Sequence, residues 1–124
     1  MYKLKKEFSI EASHKLNLNY KSKCTNLHGH SWKFTVYIRG SKLNENGMLF
    51  DFSHIKHIIS DKLDHSYLND IFDFNTTSEN LAKWALDTIN ESIWQNNGPE
   101  RATDIECYRV DVQETEGSIA TYEM

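Results

Sequence analysis

One proline, five glycines and two cysteines are all that 124 residues contain of the residue types that break, bend or staple a chain. That scarcity argues against proline- or glycine-rich linkers, collagen-like repeats and low-complexity segments. Cys24 and Cys107 are too few for a disulfide framework and are expected as reduced thiols. Long apolar runs are missing too, none approaching the ~20 residues of a membrane span. The opening Met1-Tyr2-Lys3-Leu4-Lys5-Lys6 has no apolar core of the signal-peptide kind. The expectation is a single domain over residues 1–124, cytoplasmic and without a membrane partner.

What is present suits a folded core. Hydrophobic residues make up 39% and aromatic residues 12% of the chain. A domain this long buries roughly two-thirds of its unfolded surface, enough to fold without disulfides. The net charge of −4 conceals a polarity along the chain. Residues 1–42 hold nine of the fourteen basic residues with only Glu7 and Glu11 as acids, a balance of +7, which leaves −11 for the rest. A basic end can draw in an anionic small molecule, or it can simply be a solvated lysine-rich face. The acidic total argues against a nucleic-acid backbone as partner.

Phe8, Ile10 and Ala12 alternate with Ser9, Glu11 and Ser13, the period of a half-buried strand. Trp32, Phe34, Val36 and Ile38 repeat the pattern, and Asn44 to Gly47 form a polar turn. Ser53 is the expected cap of a helix with Ile55, Ile58, Ile59 and Leu63 on one side. A second helix is expected from near Thr76, with Glu79 completing a capping box and Gly98-Pro99 ending it. Its stripe is Leu81, Ala85, Ile89 and Ile93. Two strands follow, one through Tyr108, Val110 and Val112, the other over residues 118–123. The predicted fold is α+β: a four-stranded antiparallel sheet with two helices on one face, ordered strand-strand-helix-helix-strand-strand.

His28-Gly29-His30 opens the second strand, and residues two apart on a strand share a face. Their parity matches Trp32 and Phe34, and His14 stands in the same relation to Ile10 and Ala12. If the two strands pair as a hairpin, all three imidazoles meet at its loop end on the apolar face. Three neutral imidazoles suit zinc and leave a fourth position open, the pattern of a catalytic site. The residues equally allow three separate strand-end histidines donating to backbone carbonyls. Gly29 is read as permitting close backbone approach between the ligands.

Other groups carry paired readings. Cys24 is a fourth zinc ligand closing a structural site, a thiolate activated by a nearby cation, or an ordinary loop cysteine. Cys107 is read as a packing residue. Asp64-His65 is a carboxylate orienting an imidazole for proton transfer, or a charge pair at a helix end. His54 and His57 are surface or rim residues of the first helix. Glu114 continues the parity of Val110 and Val112; it either accepts two N–H bonds from a guanidine-like ring edge or ends a strand in water. Thr115 would add a polar contact.

Six segments, in this order, resemble the 6-pyruvoyl-tetrahydropterin synthase / 6-carboxy-tetrahydropterin synthase family. They are Phe8 through His14-Lys15-Leu16; Cys24-Thr25-Asn26-Leu27-His28-Gly29-His30-Ser31; Gly47-Met48-Leu49-Phe50-Asp51-Phe52; Leu63-Asp64-His65 with Leu68-Asn69; Thr77-Ser78-Glu79-Asn80-Leu81-Ala82; and Glu114-Thr115. The resemblance implies the tunnelling fold, a homo-oligomer assembled as a dimer of trimers, and zinc on His14, His28 and His30. It makes Cys24 the catalytic thiol, Asp64 and His65 its proton-transfer partners, and Glu114 the pterin anchor, beside which Thr115 is the expected further substrate contact. The implied substrate is a reduced pterin triphosphate. The short gap between Cys24 and His28 resembles the bacterial carboxy-tetrahydropterin branch, which makes a queuosine precursor. Thr76 departs from the proline usual before the Thr-Ser-Glu segment, and the 17–23 loop is short and lysine-containing.

Overall fold

A long antiparallel hairpin organises the molecule. In the computed structural model, which describes residues 1–97 and 104–124, strand β1 (Tyr2–His14) pairs with β2 (His28–Gly40) along its whole length. The ladder runs from Tyr2 opposite Gly40 to His14 opposite His28. Helix α1 (Phe52–Leu63), the two-residue strand β3 (Ser66–Tyr67) and the single turn α2 (Leu68–Ile71) follow. Helix α3 (Ser78–Asn97) and the hairpin of β4 (Glu106–Thr115) and β5 (Ser118–Glu123) complete the order. The sheet runs β3-β1-β2-β4-β5 among the described residues.

The α+β architecture is as the sequence predicts, but the described residues form five strands rather than four, and α2 is added. The extra strand, β3, lies parallel to β1 through Ala12–Ser66 and Ser13–Tyr67. Two residues cannot display a period, so no pattern announces them.

The even-numbered sheet residues Phe8, Ile10, Trp32, Phe34, Val36, Ile38, Val110 and Val112 are buried in one core with Ile55, Ile59 and Leu63 of α1 and Leu81, Ala85, Ile89 and Ile93 of α3. Each large side chain so buried contributes about 1.5–3 kcal/mol. One strand departs from simple alternation. The β2–β4 register slips between Tyr37 and Ile38, so Tyr37 faces Arg109 while Ile38 faces Cys107. This bulge sends Cys107 into the core in place of Tyr108, whose ring lies against Tyr37 on the opposite face. Cys107 is a packing residue, its thiol pushed up to about 12 by burial.

Both expected helix starts are corrected. Asp51, not Ser53, caps α1: its Oδ1 accepts from the backbone N–H and the hydroxyl of Ser53. At α3 the Thr77 hydroxyl accepts from Asn80 N–H at 3.1 Å, and the Thr77 carbonyl accepts from Leu81 N–H. Thr76 is fully buried one residue earlier and bonds elsewhere. The expected stop at Gly98-Pro99 lies outside the described residues. Among the described residues, no helix is long and apolar enough to cross a membrane.

Candidate metal centre

The β1–β2 register carries His14 and His28 to directly opposed positions at the loop end of the hairpin, with His30 two residues along. The three rings meet edge to face, centroids 4.5–5.4 Å apart, and Trp32 packs edge-on beneath His14 and His30. Trp32 is itself fixed, its indole N–H donating to Ala12 O at 3.1 Å.

Glu114 joins the cluster from β4. The β4–β5 register shifts between Gln113 and Thr115, so Glu114 sits at the irregularity beside the tight Glu116-Gly117 turn. Gly117 adopts φ +81°, which suits glycine in such a hairpin. The Glu114 carboxylate oxygen Oε1 approaches His30 Nε2 at 2.7 Å, His14 Nε2 at 3.7 Å and His28 Nε2 at 3.9 Å. One ligand atom from each of these four residues falls within 4.8 Å of every other.

Protonation makes this arrangement informative. The second ring nitrogen of His14, Nδ1, lies 2.9 Å from the Thr76 carbonyl and 3.0 Å from the Thr76 hydroxyl. That of His28 lies 2.7 Å from the Asn26 carbonyl. A carbonyl only accepts, so Nδ1 must carry the proton in both rings. Burial, then the neighbouring His28, holds His14 below the ordinary histidine value, which favours its neutral form. Nε2 of a neutral ring with that tautomer is a bare lone pair, here facing a carboxylate. All three Nε2 atoms are buried and, among the described residues, lack a hydrogen-bond partner, the 2.7 Å approach to His30 being misaligned for one.

Lone pairs and a carboxylate turned toward one another repel unless a cation stands between them. Bonds of ~2.0–2.1 Å from a tetrahedral zinc put its ligand atoms roughly 3.3 Å apart. The observed 2.7–3.9 Å brackets that spacing. The four residues therefore form a group able to hold a metal ion, and the donor set suits zinc. Both readings of the histidines hold in part: His14 and His28 do donate to carbonyls, and in doing so free the other nitrogen. Gly29 is not needed for close approach, because a Cβ there would meet nothing nearer than Ala12 O at 4.0 Å.

The remaining sequence candidates lie outside this group. Cys24 sits half-buried in a 3-10 turn (Lys23–Thr25) whose cap, Ser22, accepts from Cys24 N–H at 3.1 Å. Among the described residues the metal-holding group closes with Glu114 rather than Cys24. Asp64 caps the end of α1 and accepts from Glu11 N–H at 2.9 Å. Its other oxygen lies 3.6 Å from His65 Nε2, an ion-pair distance too long for a hydrogen bond. His65 is 80% exposed and has φ +58°, the left-handed region. It lines an open groove of about 570 Å³ that also touches His30, Gly29 and Ser66. Thr115 is exposed beside the hairpin turn, opposite Ser118. His57 is exposed and pairs with Asp61 at 3.1 Å, and His54 stacks on Phe50.

Sequence reasoning missed three kinds of support. Thr76, in the sequence a departure at the helix entry, orients His14. Ser78 donates to Glu114 Oε2 at 3.4 Å, and together they line a second groove of about 420 Å³ at the start of α3. Asn69 and Asn75 hold the chain leaving β1: each side-chain amide both accepts from and donates to one backbone residue, Lys15 and Asn17 respectively. An amide carries the donor and acceptor of a peptide group, which is the only signal such clamps could have left.

Comparison with known proteins agrees with this architecture. Residues 3–124 match the family model described as 6-pyruvoyl tetrahydropterin synthase. The chain is 39% identical over 101 residues to a 6-carboxy-5,6,7,8-tetrahydropterin synthase of Synechocystis sp., covering 74% of this chain and 78% of that protein. It is 29% identical over 129 residues to the Bacillus subtilis protein of the same name, covering 98% and 84%. The structure of Caenorhabditis elegans 6-pyruvoyl tetrahydropterin synthase superposes with a TM-score of 0.74 at 26% identity, covering 99% of this chain and 95% of that one. The fold is the tunnelling fold.

Proposed function

Because the chain belongs to the 6-pyruvoyl tetrahydropterin synthase family, we propose that it is a zinc-dependent 6-carboxy-5,6,7,8-tetrahydropterin synthase acting in queuosine biosynthesis. The substrate is 7,8-dihydroneopterin triphosphate, and the products are 6-carboxytetrahydropterin, acetaldehyde and triphosphate. The observation that carries the reading is the set of three buried, unpartnered Nε2 atoms facing one point beside a carboxylate. The assembly is a cytoplasmic homohexamer, a dimer of trimers, which the family resemblance supports.

His14, His28 and His30 would hold the zinc, which supplies Lewis acidity toward the side-chain hydroxyls of the substrate. Cys24, as thiolate, accepts a proton from the substrate side chain, and His65, with the Asp64 carboxylate 3.6 Å away, moves the proton of the adjacent hydroxyl. Glu114 receives the N–H edge of the pterin ring, with Thr115 beside it. Ser78 and the groove at the start of α3 offer that ring a place next to the metal centre. The basic residues of the first 42 positions receive the triphosphate.

The carboxy product is favoured by the three-residue gap between Cys24 and His28 and by the names of the Synechocystis and Bacillus relatives. The pyruvoyl product is the second reading, favoured by the C. elegans neighbour. Incubation with the triphosphorylated pterin, followed by mass analysis with and without chelator, separates them. Acetaldehyde with 6-carboxytetrahydropterin supports the proposal, and triphosphate released without acetaldehyde selects the pyruvoyl reaction. Cys24→Ala is expected to keep zinc and lose turnover. A variant that lost zinc instead would make Cys24 a structural ligand and the protein a zinc-stabilised pterin-binding module.

A further inference from the structure

Glu114 stands between two environments. Oε1 faces the three imidazole nitrogens at 2.7, 3.7 and 3.9 Å, while Oε2 accepts from Ser78 Oγ at 3.4 Å on the side of the α3 groove. Its side chain is 22% exposed and sits where the β4–β5 register breaks. A strand irregularity of this kind re-aims a side chain and loosens its backbone pairing. The carboxylate thus has one partner set at the metal position and another away from it. The second is reinforced by the positive end of the 20-residue helix α3, whose first residue is Ser78.

We propose that Glu114 is a displaceable fourth metal ligand: it closes the metal site in the resting protein and is drawn off by the ring of the arriving pterin. This rests on the pterin reading above. Chemistry at the metal needs a position for the substrate hydroxyl, and three imidazoles with a carboxylate leave none in tetrahedral geometry. A pterin edge offers two adjacent N–H donors, which a carboxylate accepts best in bidentate fashion with both oxygens. Oε1 cannot serve the ring edge and the metal together. Ring recognition and opening of the metal are therefore a single event. Hydroxylated anions that lack the ring leave Glu114 in place and find the site closed. The residue that selects the substrate is also the residue that exposes the ion to it.

Cobalt(II) in place of zinc makes the ligand set visible by its absorption spectrum, independently of turnover. The probe is unsubstituted pterin, which has the ring and no side chain with which to reach the metal. Its binding is followed separately by its fluorescence. In the unmodified protein, saturation with pterin is expected to change the cobalt bands. Glu114→Gln is expected to bind cobalt at least tenfold more weakly and to show altered bands before any pterin is added. Glu114→Asp, which keeps the charge on a shorter arm, is expected to fall between them, and thermal melts confirm that both variants are folded.

Equal cobalt affinity and identical bands in Glu114→Gln would remove Glu114 from the ligand set and overturn the proposal. Pterin binding with unchanged bands would overturn the displacement and leave the pterin reading intact. Absence of pterin binding, or of cobalt binding, would overturn both.

Discussion

The two faces of the sheet each carry a polar cluster, and they are built on opposite terms. On the face away from the helices, Asp111 accepts from Arg109 Nε at 2.9 Å and Nη2 at 3.2 Å, from Tyr37 at 3.1 Å and from Thr121 at 2.7 Å. Both carboxylate oxygens are saturated, and the Arg109 guanidinium also lies 4.7 Å over the Tyr37 ring. On the helix face, Glu114 confronts three imidazole nitrogens without a hydrogen-bond partner among the described residues. A buried polar group without a partner costs about 1–3 kcal/mol. A fold that completes one cluster and leaves the other open has reserved the open one for something outside the chain.

The largest effect that would sharpen this contrast comes from the metal. Zinc at about a thousandfold excess over its dissociation constant stabilises by about 4 kcal/mol. A thermal scan should show a midpoint rise on the order of 10 °C, reversed by chelator and absent in His14→Ala. A midpoint indifferent to zinc would erase the difference between the faces.

Next in size is the closed cluster. Asp111→Ala strands Tyr37, Thr121 and Arg109, but the Arg109 side chain is 38% exposed and water compensates part of the loss. The expected cost is about 1–2 kcal/mol in denaturant unfolding, with zinc affinity unchanged. A fall in zinc affinity would show that the faces are coupled. The same cluster has its own pH window. Burial alone would raise the Asp111 carboxyl, but the bonds from Arg109, Thr121 and Tyr37 outweigh it and hold it below the ordinary 3.8. A carboxyl lowered in the folded state adds stability that is complete above 3.8 and lost as pH falls through the folded value. Asp111→Asn should lack that acid-limb component.

The smallest effect concerns support from behind. Thr76→Val keeps the carbonyl that accepts from His14 and removes the hydroxyl 3.0 Å away. Zinc affinity measured by chelator competition should drop about tenfold, the low end for a residue behind a ligand, and Thr76→Ser should restore it.

How much of this was written in the chain follows from what kind of signal each residue can leave. Strand parity alone gathered His14, His28 and His30, because a period of two is strict and the hairpin is unbroken from Tyr2 to His14. Parity also aimed Glu114 at the right face, but not at the imidazoles, since that contact depends on how β4 is registered beside β2. The strand expected through Tyr108 is present, but parity carried back from Val110 does not reach its true facing, because a bulge inverts parity without altering composition. Glycines were the least legible. Gly29, between two ligands, has room for a side chain, whereas at Gly40 an added Cβ would come within 2.7 Å of Leu49 Cδ1 and 3.1 Å of Ile105 Cγ1. Nothing near Gly40 in the sequence hints at that crowding, which is created by residues 9 and 65 positions away. Asp64 and His65 are neighbours in sequence, yet the carboxylate accepts its hydrogen bond from Glu11 N–H on β1.

The chain between the two hairpin strands is tied down at both of its roots. Asn69 and Asn75 grip Lys15 and Asn17, and Leu16 N–H donates to Cys24 O at 2.7 Å. Among the described residues, the stretch from Leu18 to Lys21 lies between these moorings. Residues inserted or deleted there change the reach and charge of the loop while His14 and His28 stay where they are. The loop can be retailored over evolutionary time without disturbing the histidines from which it springs.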